Sequence, residues 1–134
     1  MGLKIKMHSN VGCRVGDVAV TNTRLGRIAP NNWQDPSGGV AILMFASYND
    51  PPVDPLRPQP TISNISFVNV TATATVAAGQ LVGGLHNISA LRFENCAFNS
   101  SDKRTPWRLS RVDAASCSSV NTTPPFPTGA RRLV

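Results

Sequence analysis

The feature that most constrains this chain is a strand pattern repeated around an Asn or Asp. Three segments share it: Val15-Gly16-Asp17-Val18-Ala19-Val20-Thr21-Asn22-Thr23, Ile62-Ser63-Asn64-Ile65-Ser66-Phe67-Val68-Asn69-Val70, and Leu85-His86-Asn87-Ile88-Ser89-Ala90-Leu91-Arg92-Phe93-Glu94-Asn95-Cys96. Each reads apolar, spacer, Asp or Asn, apolar, spacer, apolar, and then a further Asn. The anchors Asp17, Asn64 and Asn87 are 47 and 23 residues apart, close to two turns and one turn of a single period. The intervening turn is expected to hold Gly39-Val40-Ala41-Ile42-Leu43-Met44-Phe45, another buried-strand run. Such a period suits a solenoid of stacked β-coils, with inward side chains lining one core and each backbone pairing with the coils above and below. The matching Asn and Asp would form ladders or take left-handed turns between strands. A β-sandwich, whose strands also recur between turn signals, is the competing reading.

Composition agrees with an all-β class. The chain has 134 residues, enough for one domain with a hydrophobic core and too few for two. Hydrophobic residues make up 41% and charged residues 15%, which excludes a disordered polyampholyte. Val, Ile and Thr suit a pleated surface, Asn, Gly and Pro punctuate it, and no window has the period of a long amphipathic helix. About four to five coils fit within residues 1–120. Residues 121–134, which include Thr122-Thr123-Pro124-Pro125-Phe126-Pro127, read as a loosely ordered Pro-rich tail. Five prolines between Asn49 and Pro60 make that stretch a surface loop, because they remove ladder donors. Thr105-Pro106-Trp107 and Val112 to Val120 are expected to close the end of the core.

The net charge of +6 suits an acidic partner: nucleic acid, an anionic membrane surface or an acidic polysaccharide. Nucleic acid is disfavoured, since only 6% of residues are aromatic and they form no stacking platform. No apolar run approaches membrane-spanning length. Five N-x-[ST] sequons, at Asn64, Asn69, Asn87, Asn99 and Asn121, point to a secretory-pathway protein with these as glycosylation candidates. No signal peptide accompanies them, so the natural N-terminus is expected to lie elsewhere and the chain to be truncated on that side. Cys13, Cys96 and Cys117 have no metal-ligand spacing, and neither a metal nor a cofactor is expected. His8 and His86 have no ligand-spaced partner and read as structural or exposed.

Several motifs, in order, resemble one family. Gly2-Leu3-Lys4-Ile5-Lys6, followed by Gly12-Cys13-Arg14-Val15-Gly16-Asp17-Val18, is similar to the G-[IL]-R-I-K…G-G-x-V-x-D-I segment of polygalacturonases, glycoside hydrolase family 28. Ser47-Tyr48-Asn49-Asp50-Pro51-Pro52 and then Pro60-Thr61-Ile62-Ser63-Asn64-Ile65 resemble the Tyr-containing, proline-rich loop and following strand of the plant-type members. Thr105-Pro106-Trp107 is similar to their L-P-W before a cysteine-containing tail. The resemblance spans residues 2 to about 127. It implies the C-terminal part of a right-handed parallel β-helix acting on pectin, in a secreted or cell-wall protein.

Inverting hydrolysis requires a carboxylic acid on one face of the glycosidic bond and a carboxylate base on the other. The family supplies these from N-T-D, D-D and G-H-G motifs upstream of R-I-K, and none of the three occurs here. No catalytic residue is therefore expected, and the missing N-terminal coils of the same β-helix become an expected partner. What the resemblance leaves is substrate binding to polygalacturonan or pectin. Lys6 matches the family Lys. Lys4 stands where the family has Arg, keeping the charge while losing the bidentate fork. Without the resemblance, both read as outward strand residues flanking Leu3 and Ile5. Tyr48 matches a substrate-contacting Tyr and equally suits core-edge packing. Cys96 and Cys117 flank the closing segment and are a disulfide candidate, whereas Cys13, in the G-G turn, is expected to be a free, partly buried thiol; the alternative, three reduced cysteines in a cytosolic protein, would count against secretion.

Overall fold

Apolar β-branched runs interrupted by single Asn or Asp residues dictate the architecture. The computed structural model describes residues 2–29, 39–46 and 52–128. Its strands are β1 (Leu3–Lys6), β2 (Arg14–Arg27), β3 (Val40–Phe45), β4 (Thr61–Thr75), β5 (Ala77–Val82), β6 (Ser89–Glu94), β7 (Ala97–Ser100), β8 (Trp107–Ser110) and β9 (Ser118–Val120). One 3-10 turn lies at Ala114–Ser116, and the described residues contain no α-helix. The protein is all-β. Its strands form two sheets, ordered β1-β3-β5-β8 and β2-β4-β6-β9, with β7 also paired to β4. Pairing is parallel at each rung. The chain visits the two sheets alternately, and each pass stacks on the one before.

This topology corrects two details of the repeat. The Val40–Phe45 run does not occupy a turn between Asp17 and Asn64 in the same sheet; it pairs with β1 and β5 in the other one. The 47-residue step from Gly16 to Ser63 is thus a single pass lengthened by an insertion, while Ser63 to Ser89 is a step of 26. Asn87 is likewise not the counterpart of Asn64. Ser63 pairs with Ser89 and Ile65 with Leu91, which puts Ala90 opposite Asn64. The shared triplets Asn64-Ile65-Ser66 and Asn87-Ile88-Ser89 draw a sequence alignment three residues off register. The backbone instead follows the apolar side chains that must face inward.

Left-handed residues make the bends. In β4 the buried positions are Ile62, Ile65, Phe67, Val70, Ala72 and Thr75, so alternation skips one residue at Asn64 and another at Asn69. Both have φ of 55°. A left-handed residue between extended segments redirects the strand while its own side chain points outward, and Asn tolerates that region better than most residues. Corners stack on corners. Asn22, Asn69, Asn95 and Asn121 occupy one register column with φ between 46° and 55°. Asn69 Nδ2 donates to Asn22 Oδ1 at 2.9 Å, and Asn121 Nδ2 to Asn95 Oδ1 at 2.7 Å. A second column has Asp17 accepting from Asn64 Nδ2, with Ala90 (φ 51°) above it. Both expectations for the repeated Asn and Asp, ladders and left-handed turns, hold together.

Between the sheets lies one core, with Phe67 and Phe93 as register partners whose rings stack at 5.0 Å and 7°. Gly79 leaves room for the indole on the next rung, since a Cβ there would come within 2.5 Å of Trp107 Cζ3. Residues 121–128 are not the loose tail expected from their prolines. Thr123 N–H donates to the Cys96 carbonyl (2.9 Å), and Phe98 N–H donates to the Thr123 carbonyl (2.7 Å). Trp107 Nε1 donates to the Pro124 carbonyl at 3.1 Å. Phe126, 2% exposed, stacks on Phe93 at 4.8 Å. One buried aromatic ring outweighs the local preference of its Pro neighbours for an open chain.

The ladder gives a direct test. Asn69→Gly loses one hydrogen bond and should destabilise by about 1 kcal/mol, whereas Asn69→Ala adds the left-handed penalty and should lose about 2 kcal/mol. Urea unfolding of the two variants checks the order, and equal losses would remove the left-handed requirement.

Candidate functional site

Lys4 and Lys6 alternate with Leu3 and Ile5 along β1, with both lysines exposed and both apolar residues half-buried. His8 continues the exposed face beyond the strand. Alternate residues on one strand face are about 6.6 Å apart, so Lys4, Lys6 and His8 form a row of basic groups. β1 is the terminal strand of its sheet. Across the sheet, Lys4 is in register with Leu43, Gln80 and Arg108, and Lys6 with Phe45, Val82 and Ser110. The row does not continue as a basic channel. Leu43 is fully buried on that outer face, in a small apolar cluster with Val40, Ala77 and Phe45. Gln80 Oε1 is also buried there with no hydrogen-bond partner among the described residues. Arg108 reaches Asp102 Oδ2 at 3.4 Å. Tyr48 lies outside the described residues.

The expected pairing of Cys96 with Cys117 does not occur. All three cysteines are free thiols, with Cys13 exposed rather than partly buried, and Cys96 and Cys117 buried. Register explains why. Asn95 stands opposite Asn121 in the ladder column, which sets Cys96 beside Thr122 rather than Cys117. Cys117 is thus about five residues away along the rung, beyond the Cα separation that a disulfide spans. Each thiol instead meets a carbonyl, Cys96 that of Phe67 and Cys117 that of Asp113, both at 3.3 Å. Burial pushes the Cys117 thiol up from its ordinary pKa.

The sequons divide by environment. Asn64, Asn69 and Asn121 donate their Nδ2 groups within the ladders, and Asn99 Nδ2 donates to the Thr73 carbonyl at 3.0 Å. Asn87 is exposed between β5 and β6. His86 is exposed as well. Among the described residues, no group of three His, Cys, Asp or Glu could hold a metal ion, and no helix is long and apolar enough to cross a membrane.

Two features escaped the sequence reading. Asp102 organises the turn before β8. Its carboxylate accepts from Thr105 N–H (3.0 Å), Thr105 Oγ1 (2.7 Å), Arg104 N–H (3.1 Å) and Arg108 (3.4 Å). The Thr105 bonds, reinforced by Arg108 and Arg104, lower its pKa to about 2. The spacing Asp102-Lys103-Arg104-Thr105 is a local capping pattern and was a readable signal. The second feature is a groove of about 720 Å³ where β4 and β7 meet the 102–106 turn and the 123–125 segment. It depends on contacts between distant parts of the chain. Its only sequence trace is a set of small residues, Thr71, Thr73 and Ala97, at strand positions facing outward.

Comparison with protein-family models, curated proteins and solved structures finds no match to this chain.

Two measurements check these assignments. Ellman's reagent should titrate one thiol, Cys13, in the native protein and all three after unfolding without reductant; only one thiol after unfolding would restore the disulfide. Asp102 has a depressed folded pKa, so its contribution is complete above the unfolded value near 3.9 and fades as pH falls through about 2. Asp102→Asn should therefore lower the urea midpoint at pH 6, with the gap from wild type closing between pH 4 and pH 2. A gap independent of pH would contradict the role of the charge.

Proposed function

We propose that this chain is the C-terminal part of a polygalacturonase-like protein, built as a right-handed parallel β-helix, that binds acidic pectic polysaccharide without hydrolysing it alone. The observation that carries this reading is the outward row of Lys4 and Lys6 on β1. That row lies in the motif resembling the family's sugar-carboxylate clamp. Alternate visits to two parallel sheets support the coil architecture.

Hydrolysis by inversion would need two carboxyl groups facing each other across a bound sugar. Several carboxylates are committed to local structure instead: Asp17 to Arg14 and Asn64, Glu94 to Arg92, and Asp102 to its turn. Catalytic coils of the same β-helix would stack on β1 and β2. Leu3, Ile5, Val15, Val20 and Leu25 are only partly buried there, and these strands end their sheets. A secreted or cell-wall location accords with the five sequons.

A second reading, a non-catalytic carbohydrate-binding or structural β-solenoid, is favoured by Lys4 in place of Arg. A monodentate ammonium suits retention of a chain better than the fixed orientation that catalysis requires.

Immobilised polygalacturonate separates the outcomes. The chain should be retained, Lys6→Ala should weaken retention about tenfold or more, and no reducing sugar should appear. Retention unchanged by Lys6→Ala removes the binding role, and turnover by this chain alone overturns the claim of missing catalysis.

A further inference from the structure

The groove beside β7 lies on the other sheet from Lys4 and Lys6 and has the makings of a second binding site. Its floor is a register column running across the rungs: Arg24 pairs with Thr71, Thr71 with Ala97, and Ala97 with Thr123. Three inter-strand steps give it a length of about 14 Å. Thr71 and Ala97 contribute only small side chains to this floor, and Asp102, Lys103, Pro106, Pro124 and Pro125 complete the lining. The surface therefore combines flat apolar patches, hydroxyl and amide groups, and positive charge. Arg24 and Lys103 are exposed lining residues that make no ion pair or hydrogen bond among the described residues. The lining carboxylate, Asp102, is ion-paired with Arg108 at 3.4 Å, so that pair adds no net charge to the groove.

We propose that this groove binds a short acidic oligosaccharide, with Arg24 and Lys103 holding sugar carboxylates. Sugar C–H faces pack on the proline rings and the Ala97 methyl group, as apolar surface leaving water requires. Thr71, Thr73 and Asn99 offer hydrogen-bonding groups to the hydroxyls. Two separated cations select a chain bearing more than one carboxylate over a neutral sugar of the same length, and the Arg fork fixes orientation at its end. The ligand class is shared with the proposed function, but the site and its residues are separate. Asn99 also heads a sequon, and a glycan on it would fill the groove, so the test uses protein made without N-glycans.

Isothermal titration with trigalacturonate, and with a neutral galactose trimer as control, tests the proposal. Wild type should bind the acidic trimer, and the neutral one at least about tenfold more weakly. Arg24→Ala and Lys103→Ala should each lower affinity about tenfold or more, with an unchanged thermal midpoint because both residues are exposed. Ala97→Phe, which raises the floor without altering charge, should also weaken binding.

Binding unaffected by all three substitutions but abolished by Lys4→Ala and Lys6→Ala overturns the groove and leaves the β1 reading standing. The opposite pattern supports the groove and removes the β1 site. Equal affinity for the neutral trimer, or no binding of either, overturns the groove.

Discussion

The left-handed asparagine corner is the constraint on which the rest of the structure depends. A parallel stack works only if each pass bends at the same height as the pass beneath it, or apolar side chains drift out of register with the core. In the Asn22, Asn69, Asn95 and Asn121 column, Asn meets both requirements. Its backbone accepts the left-handed conformation, and its amide both donates and accepts, so the bend of one rung can hydrogen-bond to the next. Because the corner residue faces outward, the flanking segments point their apolar residues into one core. The stacking of Phe67 on Phe93 follows from that alignment.

The two ends of the stack are finished differently. At one end, Phe126 seals the core against Phe93 and Trp107, with backbone bonds from Thr123 fixing its approach. At the other, β1 and β2 end their sheets and cover their apolar residues only partly. A terminal strand with free backbone groups is a liability unless it is charged or covered. Lys4 and Lys6 on β1, and Arg24 and Arg27 on β2, place repulsive charge at that end. The same residues that oppose edge-to-edge association therefore make this end basic, and so attractive to an acidic polymer.

The repeat was legible because it depends on local chemistry: apolar alternation and Asn at the bend appear directly in the residue order. Which sheet Val40–Phe45 joins was not legible, since a buried strand has the same apolar pattern wherever it pairs. The mistaken pairing of Asn87 with Asn64 shows the same limit at finer scale. Residue identity favoured one register, and the inward placement of Ile88 and Leu91 enforced another. Phe126 was hidden for the opposite reason: six of the seven residues from Asn121 to Pro127 are polar or proline in a stretch that looks unstructured, and one ring anchors it. Lys4 and Lys6 were legible as outward residues from alternation alone. The groove was not, because its walls come from segments distant in sequence and its floor is recognised only once rungs are stacked.

Charge placement links the scaffold to its proposed ligands. With a net charge of +6, an acidic polymer would be drawn anywhere on the surface unless local structure made some regions more attractive than others. The acidic groups help create that contrast. Asp17, Glu94 and Asp102 are each engaged by a cation or hydrogen-bond donor, close in sequence or on the adjacent rung. Their negative charge is satisfied where the fold needs it and projects little beyond. Arg24 and Lys103 stand outside these local pairs and face a groove with hydrogen-bonding walls. On the proposed reading, specificity for a carboxylated sugar would arise from where the scaffold leaves cations uncompensated, and the fold determines those positions by using its carboxylates to hold turns and ladders.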